Sequence, residues 1–154
     1  MVKNFKIYKN FNLIKRDKGA IILIGNFDGL HKGHQKLFNK AKSFKRKFKL
    51  RIGVITFDPV PKMFFKKLYN YRLSNFNQKI QLLKKSNVDF IINKKFNTKF
   101  SKISCFDFIK KILFKRIQPK YIFVSDNFRF GYKRAGDIKL LKSLEKDYNY
   151  KIIN

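Results

Sequence analysis

The sequence has little of several features, and each shortage argues against a class of protein. One cysteine, Cys105, is present among 154 residues, and tryptophan is missing altogether. A single cysteine cannot form an intramolecular disulfide or a cysteine-cluster metal site, and it fits a reducing compartment. The longest apolar run, Ala20–Ile24, is far shorter than the roughly 20 residues of a membrane-spanning helix. Basic residues interrupt the N-terminal apolar stretches, so we expect a soluble cytoplasmic protein without a secretion signal.

Acidic residues are scarce as well. Asp and Glu number 9 against 38 Lys and Arg, which gives a formal net charge of +29. Such an excess attracts polyanions without specificity. The basic residues are spread from Lys3 to Lys151 among many Asn, Ile and Phe, so we interpret most of them as solvated surface positions. We expect no membrane and no specific nucleic-acid partner, although the charge favours phosphorylated ligands. The composition does not indicate an oligomeric state.

Apolar patterning predicts one domain over residues 1–154, because 44% of the residues are hydrophobic and the length suits one core. Short apolar segments alternate with segments of helical spacing such as Leu37, Ala41, Phe44 and Phe48. Strands are predicted near 20–26, 50–57, 90–92 and 121–125, with another apolar segment at 150–153. Helices are predicted over the segment with that helical spacing, after Ser74, after Ser104 with Asp107 as a capping box, and from about Asp137. This order predicts an α/β fold: a Rossmann-like, doubly wound parallel sheet of about five strands with helices on both faces.

Two loops of unusual composition follow predicted strands, at residues 25–35 and 125–137. In doubly wound sheets, ligands bind beyond the carboxyl ends of the strands. The first loop has three glycines, Gly25, Gly29 and Gly33, which let the backbone approach a ligand closely, and the only two histidines of the chain, His31 and His34. At a spacing of three residues on the first turn of a helix, both imidazoles lie on one face, beside unpaired backbone N–H groups, which is an anion site. No third histidine and no cysteine is close in sequence, which argues against a metal held by imidazoles.

The segment Gly25-Asn-Phe-Asp-Gly-Leu-His-Lys-Gly-His34 resembles the signature of the HxGH nucleotidyltransferases, and its form is similar to that of bacterial FAD synthetases. The resemblance implies transfer of an adenylyl group from ATP to FMN, which gives FAD and pyrophosphate. It implies that His31 and His34 are catalytic and stabilise charge at the α-phosphate, with Mg²⁺ on the ATP phosphates rather than on protein side chains. The implied ATP-binding residues of this loop are Gly25, Asn26, Phe27, Asp28, Gly29 and Gly33.

Two further segments are similar to the same family. Thr56-Phe-Asp-Pro-Val-Pro61 is similar to the family's TFEPHP segment beside the flavin, with Asp58 in place of Glu and Val60 in place of His. Residues 124–137 are similar to VGxDFRFG…RxGD, with Ser125 in place of Gly. The implied FMN-binding residues are Phe57, Asp58, Pro59, Asn127 and Phe130. Arg129 and Arg134 are implied to bind ATP.

Weaker similarities at Arg72-Leu73, Phe96-Asn97 and Phe108-Ile109 extend the resemblance from about Ala20 to Asp137. Family members continue with a Ser/Thr-rich segment that ends in Ile-Arg, and usually with a riboflavin kinase domain. We therefore expect an FMN adenylyltransferase-like domain with a truncated end and no kinase domain. Two alternatives stay open: another HxGH nucleotidyltransferase, or a non-catalytic remnant that binds flavin nucleotides or polyanions.

Overall fold

The computed structural model describes residues 5–67 and 75–154. Its strands are β1 (Lys6–Tyr8), β2 (Ile21–Ile24), β3 (Ile52–Asp58), β4 (Phe90–Lys95), β5 (Tyr121–Phe123), β6 (Arg129–Phe130), β7 (Gly136–Asp137) and β8 (Lys151–Ile153). Its helices are α1 (Lys32–Phe48), α2 (Pro61–Lys66), α3 (Phe76–Lys85), α4 (Thr98–Ser101), α5 (Cys105–Asp107), which continues as a π-helix over Phe108–Ile117, α6 (Ile138–Ser143) and α7 (Glu145–Tyr148). Short 3₁₀ turns occupy Lys15–Asp17 and Tyr132–Arg134.

Six strands form one parallel sheet in the order β1-β4-β3-β2-β5-β8, and β6 and β7 form a separate antiparallel hairpin. Side chains of β2 alternate between two cores, with Ile22 and Ile24 on one face and Ile21 and Leu23 on the other. Helices α1 and α3 cover the second face, while the π-helix and α6 cover the first. The predicted doubly wound parallel fold is thus confirmed.

The sheet has six strands where about five were predicted, because β1 was missed. This strand has three residues, of which only Tyr8 is buried, so its sequence lacks a strand pattern. The predicted last helix is two short helices that meet at Leu144.

Side chains cap several helices. Asn75 and Gln78 form a reciprocal capping box at the start of α3. The expected cap Ser74 and the pair Arg72-Leu73 lie outside the described residues. The hydroxyl of Ser104 accepts a hydrogen bond from the Asp107 backbone N–H at 3.0 Å, as its spacing predicted. No helix within residues 5–67 and 75–154 combines the length and apolar character needed to cross a bilayer.

A buried carboxylate ties β1 to the start of β3. Asp17 is fully buried and accepts hydrogen bonds from the Tyr8 hydroxyl and, at 2.7 Å, from Nε of Arg51. Burial, together with the hydrogen bond to Asp17, raises the pKa of Tyr8 to about 12. The N-terminal segment is therefore attached to the sheet by a charged cluster as well as by strand pairing.

Replacing Asp17 with Ala should destabilise the protein by about 3 kcal/mol, because it leaves the Arg51 charge and the Tyr8 hydroxyl without their buried partner. Urea unfolding followed by circular dichroism measures the loss. The control is Asp107→Ala, which removes an exposed ion pair with Lys111 at 3.4 Å. It should change stability by less than about 1 kcal/mol. Equal losses in the two variants would contradict this account of the cluster.

Candidate active site

The two loops of unusual composition leave the sheet at neighbouring positions. Strands β2 and β5 are adjacent and parallel, with Ile21 beside Tyr121 and Leu23 beside Phe123. The chain continues from β2 to β3 on one side and enters β5 on the other side, so the strand order reverses between β2 and β5. This is the position at which doubly wound sheets bind ligands. Residues 25–35, which follow β2, form the histidine loop, and residues 125–137 form the hairpin loop.

The histidine loop bends through left-handed backbone conformations. Phe27 has φ of 50°, Gly29 of 73° and Leu30 of 40°. A left-handed conformation costs a non-glycine residue roughly 1–2 kcal/mol, so it persists only where packing holds it. The Phe27 side chain provides that packing, since it is 2% exposed. Its ring makes edge contacts with the rings of Phe38 and His34, at centroid distances of 5.1 Å and 5.2 Å.

Two glycines of this loop make room for rings. A Cβ atom on Gly25 would lie 3.1 Å from the Phe27 ring, and one on Gly33 would lie 3.1 Å from the His31 ring. Gly25 therefore allows Phe27 to fold back onto the end of β2, and Gly33 allows His31 to lie over the first turn of α1. The sequence indicated close approach to a ligand at these glycines; in the structure they approach side chains of the loop itself.

The imidazoles of His31 and His34 are stacked, with ring centroids 3.7 Å apart and planes inclined by 23°. The prediction that both rings share one face of the helix is confirmed. His31 is the N-cap of α1, a helix of 17 residues, and its side chain makes no capping hydrogen bond. The first N–H groups of α1 are thus not capped by this side chain, and the positive end of the helix dipole coincides with the imidazole pair.

His34 is held in its neutral form. Burial, and then the neighbouring His31, lower the pKa of His34 to about 4, although Asp28 opposes this effect. Its Nδ1 atom is buried and has no hydrogen-bond partner in the described part of the chain. An unpaired acceptor is less costly to bury than an unpaired N–H, so we infer that the proton resides on Nε2. A neutral imidazole with an available N–H can donate to a phosphate oxygen at pH 7.

A cavity of about 310 Å³ opens beside the hairpin loop. Its walls are aromatic: Phe57 and Phe100 lie 5.8 Å apart, and Phe128 and Phe130 are stacked at 5.5 Å. Positive side chains from the hairpin loop complete the lining. The lining residues include Ile24, Phe57, Phe65, Phe96, Phe100, Phe108, Phe128, Phe130, Arg129, Lys133 and Arg134. Such a cavity suits a flat aromatic group that carries an anion.

The hairpin loop is docked firmly against the rest of the domain. Gly131 has φ of 78°, and a Cβ atom there would lie 2.6 Å from the backbone of Cys105. The N–H of Tyr132 donates to the carbonyl of Ile103 at 2.7 Å. Arg129 pairs with Asp137 across the hairpin at 3.7 Å. The cationic side of the cavity is therefore built on a fixed backbone.

The structure brings some of the predicted residues together and separates others. Phe57, Phe130, Arg129 and Arg134 all line the aromatic cavity. Asn127 lies with Arg129, Arg134 and Asp137 in an adjoining depression of about 350 Å³. Of the described residues, those of the histidine loop line neither space.

The structure adds detail for four positions of the segments that are similar to the family. The ring of Phe27 is buried, so any contact of this residue with ATP would come from its backbone. Asp58 and Pro59 are half-buried and are not among the described residues that line the cavity. Val60, which stands where the family has His, is buried and precedes α2 as its N-cap.

Sequence reasoning missed most of the aromatic wall. Phe65 and Phe100 gave no signal of their own, because the chain has 19 phenylalanines and many of them pack in or against the core. Phe128 lies within the segment that is similar to the family, but it was not singled out as a flavin contact. Phe96 and Phe108 were noted only as weak similarities. A cluster of phenylalanines just beyond strand ends was the available clue.

The described residues contain no group of three or more His, Cys, Asp or Glu side chains arranged to hold a metal ion. Asp28 and Asp58 are single carboxylates near the ends of β2 and β3.

A parallel sheet that carries a His-x-Gly-His helix start at the end of its central strand defines the nucleotidyltransferase-like class of α/β folds. Solved structures agree on the fold. A macrolide-efflux protein from Streptococcus pneumoniae has a TM-score of 0.79 and 25% identity over 97% of this chain and 50% of that one. A pantoate-beta-alanine ligase from Francisella tularensis has a TM-score of 0.57 at 22% identity, over 96% of this chain and 65% of that one.

Within this class, a family model described as FAD synthetase matches residues 13–154, and the chain belongs to that family. A bifunctional riboflavin kinase/FMN adenylyltransferase from Buchnera aphidicola is 39% identical over 96% of this chain and 48% of its own length. The protein of that name from Escherichia coli K12 is 33% identical over 88% of this chain and 44% of its own length. The chain spans about half the length of these curated relatives.

The low pKa of His34 can be measured directly, because the chain has only two histidines. In an NMR titration of the imidazole C–H resonances, the resonance that is lost in His34→Gln should titrate near pH 4. Phe27→Leu should move that pKa toward 6.5, because water then reaches the ring. Since the folded protein binds this proton more weakly than the unfolded chain, stability should fall as the pH drops from about 6.5 to 4. A wild-type His34 that titrates near 6.5 would contradict the description of the site.

Proposed function

We propose that this chain transfers the adenylyl group of ATP to FMN. An oxygen of the FMN phosphate attacks the α-phosphorus of ATP and forms a new P–O bond. The bond between the α-phosphorus and the bridging oxygen to the β-phosphate breaks, and pyrophosphate leaves with that oxygen. The products are FAD and pyrophosphate, and no covalent intermediate with the protein is required.

One observation carries the proposal: a histidine pair at a helix start and an aromatic cavity with cationic lining occur around the same end of one parallel sheet. Membership in the FAD synthetase family supports assigning these two features to ATP and FMN. Two substrates held at one sheet edge gain most of their rate from positioning and from electrostatic stabilisation of the transferred group. A cytoplasmic location, expected from the single cysteine, agrees with ATP as a substrate.

In this proposal, the triphosphate binds at the start of α1. The N–H groups of the first turn and the imidazoles of His31 and His34 donate to phosphate oxygens. Because His34 is neutral, it donates a hydrogen bond without requiring a proton from solution. Gly25, Asn26, Asp28, Gly29 and Gly33 provide the backbone around the nucleotide, and Phe27 acts through its backbone and by supporting His34. Arg129 and Arg134 supply further positive charge for the phosphates.

The flavin ring of FMN then occupies the aromatic cavity. Phe57 and Phe130 offer ring faces, and Asn127 offers an amide for in-plane hydrogen bonds. The Ser125 hydroxyl donates to Oδ1 of Asn127 at 3.0 Å, which leaves the amide N–H₂ group to donate to a ligand. Asp58 and Pro59 are proposed to border this site from the end of β3. The basic side chains of the hairpin loop direct the FMN phosphate toward the same side as ATP.

Mg²⁺ is proposed to enter with ATP. This ion usually retains water and binds through substrate phosphates and one or two carboxylates, so carboxylates such as Asp28 and Asp58 are compatible with it. When bound, it would neutralise charge on the phosphates of the leaving group.

The direct assay combines the purified chain with ATP, FMN and MgCl₂ and follows FAD by chromatography. His31→Gln and His34→Gln should each lower kcat by about 100-fold or more, because each removes a donor to the charge that develops at phosphorus. Lys40→Ala, at an exposed position of α1, is the control and should retain activity. FAD formation by a His31→Gln/His34→Gln double variant at the wild-type rate would overturn the proposal. FMN binding without turnover by the wild type would indicate a binding module instead.

A pair of exposed phenylalanines tests the flavin cavity. Phe65 is 63% exposed and lines the cavity, while Phe106 is 61% exposed and does not line it. Phe65→Ala should weaken FMN binding about five- to tenfold through lost aromatic contact, and Phe106→Ala should leave it unchanged. Quenching of flavin fluorescence on titration measures both. Equal affinities in the two variants would place the flavin elsewhere.

A further inference from the structure

A buried lysine of α3 is linked to the histidine loop by two hydrogen bonds. Nζ of Lys79 donates to Oγ1 of Thr56 at 3.2 Å, and the Thr56 hydroxyl donates to the backbone carbonyl of Asn26 at 3.1 Å. Thr56, in β3, is fully buried, and Lys79 is 6% exposed. Three separate elements thus meet at one threonine hydroxyl.

The burial of Lys79 is unusual on this helix. Lys84 and Lys85, near the end of α3, are exposed, while Lys79 shares the buried face with Ile80 and Leu83. Lysine is seldom buried, because removing an ammonium group from water is costly unless polar partners receive it. An apolar residue at this position would fill the core without that desolvation cost. The burial of Lys79 is therefore explained better by a role in orienting Thr56.

The direction of the Asn26 carbonyl affects the conformation of the histidine loop. It belongs to the same planar peptide unit as the N–H of Phe27, so fixing its direction fixes how the chain enters the left-handed conformation of Phe27. The Phe27 ring in turn contacts His34 at 5.2 Å. Orientation can thus be transmitted from Lys79 through Thr56, Asn26 and Phe27 to the imidazole of His34.

We propose that Lys79 is a positioning residue that, with Thr56, sets the conformation of the histidine loop. It acts through hydrogen bonds rather than by touching the reacting atoms. Its consequence for catalysis rests on the proposed function, whereas its effect on the conformation of His34 does not. The aromatic cavity lies outside this chain of contacts, so flavin binding should be insensitive to Lys79.

Matched variants test the conformational step without substrates. Thr56→Val removes the hydroxyl and nearly preserves shape, while Thr56→Ser retains the hydroxyl. Lys79→Met removes the amine and keeps a long side chain, and Lys85→Met is the exposed control. We expect the NMR resonances and the pKa of His34 to shift in Thr56→Val and Lys79→Met, and to stay at wild-type values in Thr56→Ser and Lys85→Met. Thermal unfolding shows whether each variant is folded. If Lys79→Met does not fold, the comparison of Thr56→Val with Thr56→Ser tests the proposal.

Kinetics test the catalytic step. Thr56→Val and Lys79→Met should raise KM for ATP about tenfold, the effect of losing a hydrogen bond to a buried group, with KM for FMN unchanged. In the double variant the increase in KM for ATP should be smaller than the product of the two single increases, because Lys79 and Thr56 share one hydrogen bond. Unchanged His34 resonances in folded Thr56→Val, or equal changes in both KM values, would overturn the role of Lys79. If the His34 resonances shift in Thr56→Val and Lys79→Met but the wild-type protein forms no FAD, the proposed function is overturned and the positioning role stands.

Discussion

Strand β2 is the constraint on which the rest of the molecule depends. It is buried on both faces and lies between β3 and β5, so its side chains join the two cores. Because its neighbours are parallel to it, the segments that leave β2, β3 and β5 emerge at one edge of the sheet. The histidine loop, the Asp58-Pro59 segment and the hairpin loop therefore begin side by side.

Aromatic packing helps to hold the histidine loop in its conformation. Phe27 occupies a backbone conformation that is unfavourable for its type, and the burial of its ring offsets that cost. The same ring shields His34, and the stacked His31 further disfavours a positive charge on His34. The Phe27 ring therefore contributes to the backbone conformation, to the position of the imidazoles and to the charge state of His34.

The sequence predicted the parts of the molecule that depend on local pattern. The apolar run at 20–26 predicted strand β2, and the spacing of His31 and His34 predicted that their imidazoles share one face of a helix. Asp137 was correctly placed at the start of a helix, where its side chain accepts from the Leu140 N–H at 2.9 Å. These features follow from periodicity, capping and the first turn of a helix.

Features that depend on distant packing could not be predicted in this way. Phe65 and Phe106 are both exposed phenylalanines on helices, and only the tertiary arrangement places one of them on the cavity. Lys79 reads as one more basic helical residue until β3 is packed against α3. Gly25 and Gly33 suggested room for a ligand, yet the rings that occupy the space come from within the loop.

The central claim is that flavin and nucleotide bind to the aromatic cavity and the histidine loop as two parts of one site. A crystal structure of the chain with bound FAD tests this most directly. The account predicts that the flavin ring lies among Phe57, Phe128 and Phe130, with the two phosphates of FAD directed to His31 and His34. A flavin ring outside this cavity, or phosphates remote from both histidines, would contradict it.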